Sequence, residues 1–246
     1  MRFFHSLGKY FIFLSRVFAK PERFYLYYHQ ILREIVNLGI SSIGIVAIIS
    51  VFIGAVLTIQ TAINANTPLF PHFLIALAVR DSMILEFSST IIALILAGKV
   101  GSNISSEIGT MRITEQIDAL EIMGVNSASY LVLPKIIAAM LFNPILMIVS
   151  NLVGILGGLI AGTATGIINF DTYVYGLQYS FHPFYITYSL IKTVIFAFLI
   201  TSISSYHGYY VSGGSLDVGK ASTKAVVFCS ITILFFNLIL TQLLLV

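Results

Sequence analysis

Long stretches without charged residues alternate with short polar segments along this chain. Asp, Glu, Lys and Arg are absent from 35–79, 87–98, 136–170, 172–191, 193–216 and 225–246. A helix needs roughly 20 apolar residues to cross a bilayer core of about 30 Å. The pattern therefore predicts an all-α, polytopic membrane protein, with transmembrane helices at about 38–63, 82–104, 140–167, 186–206 and 222–245. We expect residues 1–246 to form a single membrane domain.

Two of the uncharged stretches are long for one straight helix. The segment Asn64-Ala65-Asn66-Thr67-Pro68 is typical of a turn and is expected to end the first crossing. The pair Asn143-Pro144 is expected to kink the start of the third crossing, because proline has no backbone N–H to donate.

The composition excludes several classes of protein. Hydrophobic residues fill 58% of the 246 positions and charged residues only 9%, whereas a soluble domain carries about 25% charged residues. A soluble fold could not hide this much apolar surface, so a cytosolic enzyme, a disordered chain and a free nucleic-acid binder are excluded. The lone Cys229 excludes a disulfide framework and a thiolate zinc site, and the histidines show no metal-ligand spacing.

Lys and Arg indicate the orientation in the membrane. They concentrate in 1–34, 99–135 and 207–224, whereas Arg80 is the only one in 64–81 and none lies in 168–185. Cytoplasmic loops carry the excess of basic residues. The N-terminus is therefore predicted to be cytoplasmic and, after five crossings, the C-terminus periplasmic.

The region 1–34 begins with an amphipathic pattern. Apolar side chains recur at helical spacing, with basic residues between them, at Phe3, Phe4, Leu7, Tyr10, Phe11 and Leu14. This spacing predicts a helix that lies in the cytoplasmic membrane interface. The alternative is that the basic residues only orient the first crossing.

Two charged residues fall inside predicted crossings. Glu86 shares a small, polar helix face with Ser89 and Thr90, and Lys192 lies within the fourth crossing. An ionisable group at such depth is costly unless it is paired or hydrated. One hypothesis is that both face a water-accessible or headgroup-lined cavity, with the adjacent Phe87 touching acyl chains. The other is that Lys192 extends to the membrane surface and Glu86 only caps a helix.

Small residues form stripes on two crossings. Gly154, Gly158, Gly162 and Gly166 recur every four residues on the third crossing, beside Gly157. Such spacing favours close contact between helices in lipid. Ser50, Gly54, Thr58 and Thr61 make a similar stripe on the first crossing, which is compatible with a helix–helix seam or with a cavity.

A partial match to the phosphate-binding loop motif lies just before the last crossing. Gly214 to Lys220 match that motif, but Ala221 stands where Ser or Thr must hold magnesium. A glycine-rich turn is the favoured interpretation, so we expect no ATPase site in this chain.

The segment 105–125 is predicted to be a cytoplasmic amphipathic helix. Ile113, Ile117 and Leu120 share one face, acidic residues lie elsewhere, and Gly124 is placed to end the helix in a left-handed cap. Its acidity disfavours an anionic leaflet and favours docking into a groove on a partner protein.

Two blocks of residues carry a family resemblance. The matching positions are Ala97-Gly98-Lys99-Val100-Gly101-Ser102, Glu107-Ile108-Gly109, Met111-Arg112 and Thr114-Glu115-Gln116, followed by Gly208-Tyr209, Gly219-Lys220-Ala221-Ser222-Thr223 and Ala225-Val226-Val227. They resemble the MlaE/YrbE family of ABC-transporter permeases over roughly 35–246. Lys192 looks like that family's lysine in the fourth crossing. Leu85-Glu86 stands where the family has an Arg-Glu pair, so the acid is kept and the base is missing.

The resemblance implies a homodimeric permease in the bacterial inner membrane that moves phospholipids between inner and outer membranes. The implied partners are a second copy of the chain, a cytoplasmic ABC ATPase, a periplasmic MCE-domain protein and often a STAS-domain protein, with no nucleic acid. ATP is used by the partner, so the chain itself needs no cofactor. The lipid-translocation candidates are Glu86, Phe87, Lys192 and Thr58. The candidates for coupling to the ATPase are Glu107, Gly109, Met111, Arg112, Thr114, Glu115, Gln116 and Gly124.

Two rival functions come from other classes of protein. An intramembrane enzyme would use Glu86 as an acid or base, with only Lys192 available as a second group at similar depth. A membrane scaffold without transport would explain the glycine stripe but not the charges inside the crossings.

Overall fold

Helices form every regular element in the part of the chain that the computed structural model describes, which comprises residues 2–19, 24–65 and 71–245. Helix α1 is Arg2–Phe18, and α2 runs as Phe24–Glu34, Ile35–Ile40 and Ser41–Asn64. Helix α3 is Phe73–Ile113. The remaining helices are α4 Gln116–Ile122, α5 Ser127–Ala164, α6 Phe170–Gln178, α7 Phe184–Tyr209 and α8 Ser215–Leu245.

Five of these helices, α2, α3, α5, α7 and α8, are long and apolar enough to cross a membrane. This confirms the predicted all-α, five-span class. Helices α3 and α5 extend beyond the predicted crossings, because a helix ends where its backbone hydrogen bonding ends and not where the lipid ends. Helix α5 continues without interruption through Asn143 and Pro144. Helix α2 ends at Asn64, and positions 66–68 of the predicted turn lie outside the described residues.

The N-terminal amphipathic pattern folds into α1, as predicted. Its apolar residues divide between two faces: Phe13 and Val17 are fully buried, whereas Leu7 and Phe11 are exposed. Tyr10 bonds to Ser202 at 2.8 Å through their hydroxyl groups, and burial raises the pKa of its phenol. The side chains of Phe3 and Phe4 are outside the described set. The position of α1 in the membrane interface stays a prediction.

Three π-helical stretches interrupt the long helices. They are Ile35–Ile40 in α2 and both Met83–Ile91 and Ala97–Gly101 in α3. Each stretch replaces the usual i→i−4 bonding with a wider turn, which rotates the following residues relative to an ideal helix. The face predicted for Glu86, Ser89 and Thr90 from a period of 3.6 lies inside Met83–Ile91 and therefore holds only approximately.

The chain divides into two compact units. Unit 1 contains Met1–Ser41, Ala93–Asn143 and Val194–Val246, and unit 2 contains Ser42–Ile92 and Pro144–Thr193. Within unit 1, the final turns of α3 pack on α8. Gly208 allows α7 to approach α3, because a Cβ there would lie 2.6 Å from the Ser105 carbonyl oxygen.

Unit 2 contains the predicted glycine seam. A Cβ on Gly54 of α2 would collide with the Gly154 carbonyl of α5, and one on Gly158 would lie 2.5 Å from Thr58 Oγ1. The hydroxyl groups of Ser50 and Ser150 also bond across this seam at 2.8 Å. The close-packing prediction is therefore confirmed for Gly154 and Gly158. Gly166 departs from it, because it follows the end of α5 with a φ of +69° and faces open space.

Arg80 holds the end of α6 inside unit 2. Its Nη1 donates to the carbonyl oxygens of Leu177 at 2.6 Å and Tyr179 at 2.9 Å, and its Nε donates to Asp81 at 2.8 Å. The side chain is almost completely buried. A cation at a helix C-terminus satisfies carbonyl groups that have no partner within the helix. Sequence alone showed Arg80 only as an isolated basic residue on the predicted periplasmic side.

Candidate functional site

A fully buried ammonium group lies at the centre of the candidate site in unit 2. Lys192 of α7 is 0% exposed. Its Nζ donates to Glu86 Oε1 at 3.0 Å, to the Tyr188 hydroxyl at 3.0 Å and to the Leu85 carbonyl at 3.2 Å. An ammonium group has three N–H donors, and these contacts match that number. The burial cost is therefore offset by one ion pair and two further hydrogen bonds.

Glu86 forms the accessible side of this pair. It lies in the π-helical stretch Met83–Ile91 of α3, and its side chain is 40% exposed while that of Lys192 is fully covered. Thr90 Oγ1 donates to Glu86 Oε2 at 3.0 Å. The two carboxylate oxygens are thus oriented by two different donors. A ligand that approaches this site meets the carboxylate, with the ammonium group behind it.

Neither sequence-based hypothesis describes these charges fully, because Lys192 is 0% exposed and so does not itself face a cavity. Lys192 does not extend to the membrane surface, since its Nζ is enclosed, and Glu86 pairs with it directly. Phe87, the next residue in the chain after Glu86, is partly buried. Thr58 does not join this group: its hydroxyl donates to the Gly54 carbonyl at 2.9 Å, and its side chain is fully buried against the Gly158 position. The expectation that Thr58 lines a lipid route is corrected, because the seam between α2 and α5 encloses it.

Tyr188 is a site residue that the sequence reasoning missed. It is fully buried and lies one helical turn before Lys192, with its ring centroid 4.8 Å from Nζ. Residues four apart share a helix face. The i, i+4 spacing of a tyrosine and an intramembrane lysine was therefore a usable signal.

The predicted coupling segment 105–125 differs from the expected single helix. Residues up to Ile113 are the end of α3, Thr114 and Glu115 form a turn, and α4 covers Gln116–Ile122. Glu115 has a φ of 60°, in the left-handed region that side chains other than glycine rarely adopt. This turn changes the direction of the chain between the two helices. Ile117 is buried, as the amphipathic pattern requires, while Ile122 is 87% exposed.

The end of α4 is capped as predicted. Gly124 has a φ of 78°. Its N–H donates to the Glu121 carbonyl at 3.0 Å, and the Val125 N–H donates to the Leu120 carbonyl at 3.1 Å. These two bonds define a Schellman motif.

The coupling candidates divide into exposed and packed residues. Thr114, Glu115, Gln116 and Gly124 are exposed, while Met111 and Arg112 are partly buried. Gly109 is buried, and a Cβ there would lie 3.1 Å from Val218 Cγ1. Gly109 lets α3 approach α8, and its role in coupling to the ATPase stays a prediction.

Ion pairs stabilise the coupling segment inside unit 1. Arg112 reaches across the turn to Asp118 at 2.6 Å. Lys135, a buried residue that sequence reasoning used only for topology, donates to Glu34 at 2.6 Å and to Glu107 at 2.8 Å. Glu107 is therefore tied to α2 and α5 through a shared lysine, which connects the end of α3 with two other spans.

Known proteins with similar sequences include membrane permeases and related transport proteins by name. A family model described as "Permease MlaE" matches residues 31–243. A probable ABC transporter permease protein of Rickettsia bellii is 36% identical over 99% of this chain and 93% of that protein. The intermembrane phospholipid transport system permease protein MlaE of Haemophilus influenzae is 30% identical, over 97% of this chain and 92% of its own. The chloroplastic protein TRIGALACTOSYLDIACYLGLYCEROL 1 of Arabidopsis thaliana is 28% identical over 88% of this chain and 62% of its own.

Proposed function

Because the chain belongs to the MlaE permease family, we propose that it is the permease subunit of an ABC transporter that moves phospholipids between membranes, driven by a separate ATPase. The names of its relatives support both the permease role and the lipid. The observation that carries the proposal is the ion pair between Lys192 and Glu86 inside membrane-spanning helices. A costly buried charge is kept where it serves a polar group that must enter the membrane.

Glu86 and Lys192 have different roles in this proposal. The partly exposed carboxylate of Glu86 contacts the lipid headgroup, and Lys192 positions it from behind. A carboxylate accepts hydrogen bonds and donates none. It therefore suits headgroups that carry an ammonium or hydroxyl donor. Phe87 lies next in the chain and provides an apolar surface for acyl chains.

The partners and the membrane complete the proposal. The chain acts as a homodimer in the bacterial inner membrane, with its N-terminus cytoplasmic and its C-terminus periplasmic. A cytoplasmic ABC ATPase docks at the turn formed by Thr114 and Glu115, beside the exposed Ile122. A periplasmic MCE-domain protein receives or delivers the lipid, and a STAS-domain protein joins the ATPase.

Two rival functions are less well supported. An intramembrane enzyme would need a proton-transferring group that is not already committed, whereas Lys192 is enclosed by three acceptors. A scaffold without transport would be more stable with apolar residues in place of a buried ion pair. Neither rival explains why the more exposed member of the pair is the acid.

Purification from native membranes tests the proposed function. The tagged chain should bring down an ABC ATPase, and the complex should transfer a fluorescent phospholipid between vesicles only when ATP is added. A complex with a non-hydrolysable ATP analogue is the control for passive exchange. Purified chain with no ATPase, or lipid transfer that does not depend on ATP, would contradict the proposal.

The docking turn yields a prediction of its own. We expect Glu115→Lys to reduce the co-purified ATPase about tenfold or more, because reversing a charge at an interface places like charges together. The substitution keeps a side chain at the left-handed position, so the backbone penalty is unchanged. Asp171→Lys, which reverses an exposed acid in α6 of unit 2, is the matched control. Equal ATPase recovery with both variants would refute this docking position.

A further inference from the structure

A polar cavity belongs to unit 1, whereas the Lys192–Glu86 pair belongs to unit 2. Its volume is about 500 Å³, and its lining comes from α2 and α3. The polar lining residues are Asn37, Ser41, Lys99, Ser102, Asn103 and Ser106. Lys99 is the sole charged residue among the described lining, so the cavity carries a positive charge and no carboxylate.

The side chains of this cavity offer donors. Lys99 Nζ donates to the Ser41 carbonyl, which uses one of its three N–H groups. Within the described part of the chain, the amides of Asn37 and Asn103 and the hydroxyl of Ser106 make no hydrogen bond. One cation surrounded by neutral donors is the arrangement that binds a phosphate group.

Two of the three π-helical stretches border the cavity. Asn37 lies in Ile35–Ile40 of α2, and Lys99 lies in Ala97–Gly101 of α3. Such wide turns often occur at functional sites. Here side chains from both stretches line one opening.

The surroundings of the cavity indicate the source of the phosphate group. The first predicted crossing begins at about 38 and the second ends at about 104, so the proposed topology places the cavity at the cytoplasmic boundary of the membrane. Val36 and Ile40, which flank the polar residues of α2, are each 53% exposed. A phospholipid of the cytoplasmic leaflet presents its phosphate group at this depth, with acyl chains that can follow such apolar side chains.

We propose that this cavity binds the phosphate group of a phosphate ester, and that a cytoplasmic-leaflet phospholipid supplies it. The cavity is a second headgroup site, separate from Glu86, where lipid is held at the inner leaflet. The proposal depends on the proposed function only for the presence of lipid around the chain. Its own chemistry rests on Lys99, Asn37 and Asn103.

Photolabelling tests this site in the intact complex purified with its ATPase. The complex is placed in nanodiscs that contain phosphatidylglycerol with a diazirine on one acyl chain, and labelled peptides are mapped by mass spectrometry. We expect Lys99→Met to reduce labelling of 35–41 about tenfold, because a charge-assisted bond to phosphate is lost. Lys99→Arg should restore it. Lys220→Met removes an exposed lysine of the same unit, with a side chain 71% exposed, and is the control.

A second variant, a competition measurement and a transfer assay complete this test. Asn103→Ala removes an exposed donor with no internal partner and should lower labelling about threefold even if Lys99→Met fails to assemble. Competition with millimolar inorganic phosphate or glycerol phosphate distinguishes the source: unchanged labelling supports lipid, and displacement would overturn lipid as the occupant. Unchanged labelling in Lys99→Met or Asn103→Ala would overturn the site itself. ATP-dependent lipid transfer, measured on the same samples, tests the proposed function separately.

Discussion

Gly158→Leu should abolish assembly of the protein in the membrane. A Cβ at this position would lie 2.5 Å from Thr58 Oγ1, 2.6 Å from the Tyr173 hydroxyl oxygen and 3.1 Å from the Gly54 carbonyl oxygen. Leucine adds three further carbons to that Cβ. Overpacking a well-filled interior typically costs about 1–3 kcal/mol and sometimes more, and here the backbone of α2 is among the atoms that must move.

The neighbours of Gly158 cannot give way easily. Thr58 and Tyr173 are both fully buried, and the Tyr173 hydroxyl donates to the Ile155 carbonyl at 3.1 Å. Burial raises the pKa of Tyr173 to about 12, so the phenol stays protonated and keeps this bond at neutral pH. Movement of either side chain would leave a buried polar group without its partner.

Size-exclusion chromatography of a fluorescent fusion measures this effect. The Gly158→Leu sample should show little or no monodisperse peak. Gly44→Leu is the matched control, because Gly44 is exposed on the same kind of membrane helix and no atom lies within 4 Å of its Cβ position. If Gly158→Leu assembles normally and fails only in transport, this face of α5 belongs to the lipid route instead of a helix seam.

Glu86→Ala and Lys192→Ala should each stop lipid transfer while the ATPase complex still forms. Removing one partner of a buried ion pair typically costs about 3–5 kcal/mol. We expect a smaller cost here because Glu86 is 40% exposed, so the protein does not enclose the pair completely. We therefore expect assembled protein in reduced yield, with the rate of ATP-dependent transfer lowered more than about tenfold.

A double variant separates a structural role of this pair from a transport role. Glu86→Leu combined with Lys192→Met replaces both charges by apolar side chains of similar length, and such replacements are often neutral or stabilising. Yield should return to the parent level, whereas lipid transfer should stay absent because the headgroup has lost its contact. Asp217→Ala, which removes the acid of an exposed ion pair with Lys220 in α8, is the control. Restored transfer in the double variant would show that the pair serves folding alone.

The membrane spans could be predicted from the sequence because lipid requires mostly apolar side chains on every turn of a crossing helix. Uncharged stretches of sufficient length meet it, and all five predicted crossings are present. The glycine seam was predictable for a similar reason, since only small residues allow two backbones to approach. Gly124 was recognisable as a helix end because glycine adopts positive φ without steric cost.

Other features depend on neighbours that a linear pattern does not contain. Glu86 and Lys192 are separated by 106 positions, so their individual positions were visible but their pairing was not. Lys135 of α5 pairs with Glu34 of α2 and with Glu107 of α3. The pairing of these distant residues was likewise not visible in the sequence. The spacing of Thr58 on its helix was compatible with a cavity lining or with a helix seam. Only the position of α5 shows that Thr58 lies in a seam.

Local backbone conformation was the feature of the fold that the sequence predicted least well. Glu115 takes a left-handed conformation that its residue type disfavours, so no sequence signal separated α3 from α4. The π-helical stretches leave no mark in a largely apolar segment, because an apolar sequence satisfies several helical periods equally well. These stretches nevertheless position Glu86 and Lys99.

Photocrosslinking of lipid at position 87 tests the translocation site most directly. Phe87→p-benzoylphenylalanine replaces one aromatic side chain by another and leaves Glu86 and Lys192 in place, and the same probe at Leu238, which is 66% exposed on α8, reports contact with bulk lipid. In intact membranes we expect more lipid adduct at 87 than at 238, and we expect Lys192→Ala to reduce the adduct at 87 alone. Equal adduct at both positions, unaffected by Lys192→Ala, would contradict a lipid site at the Lys192–Glu86 pair.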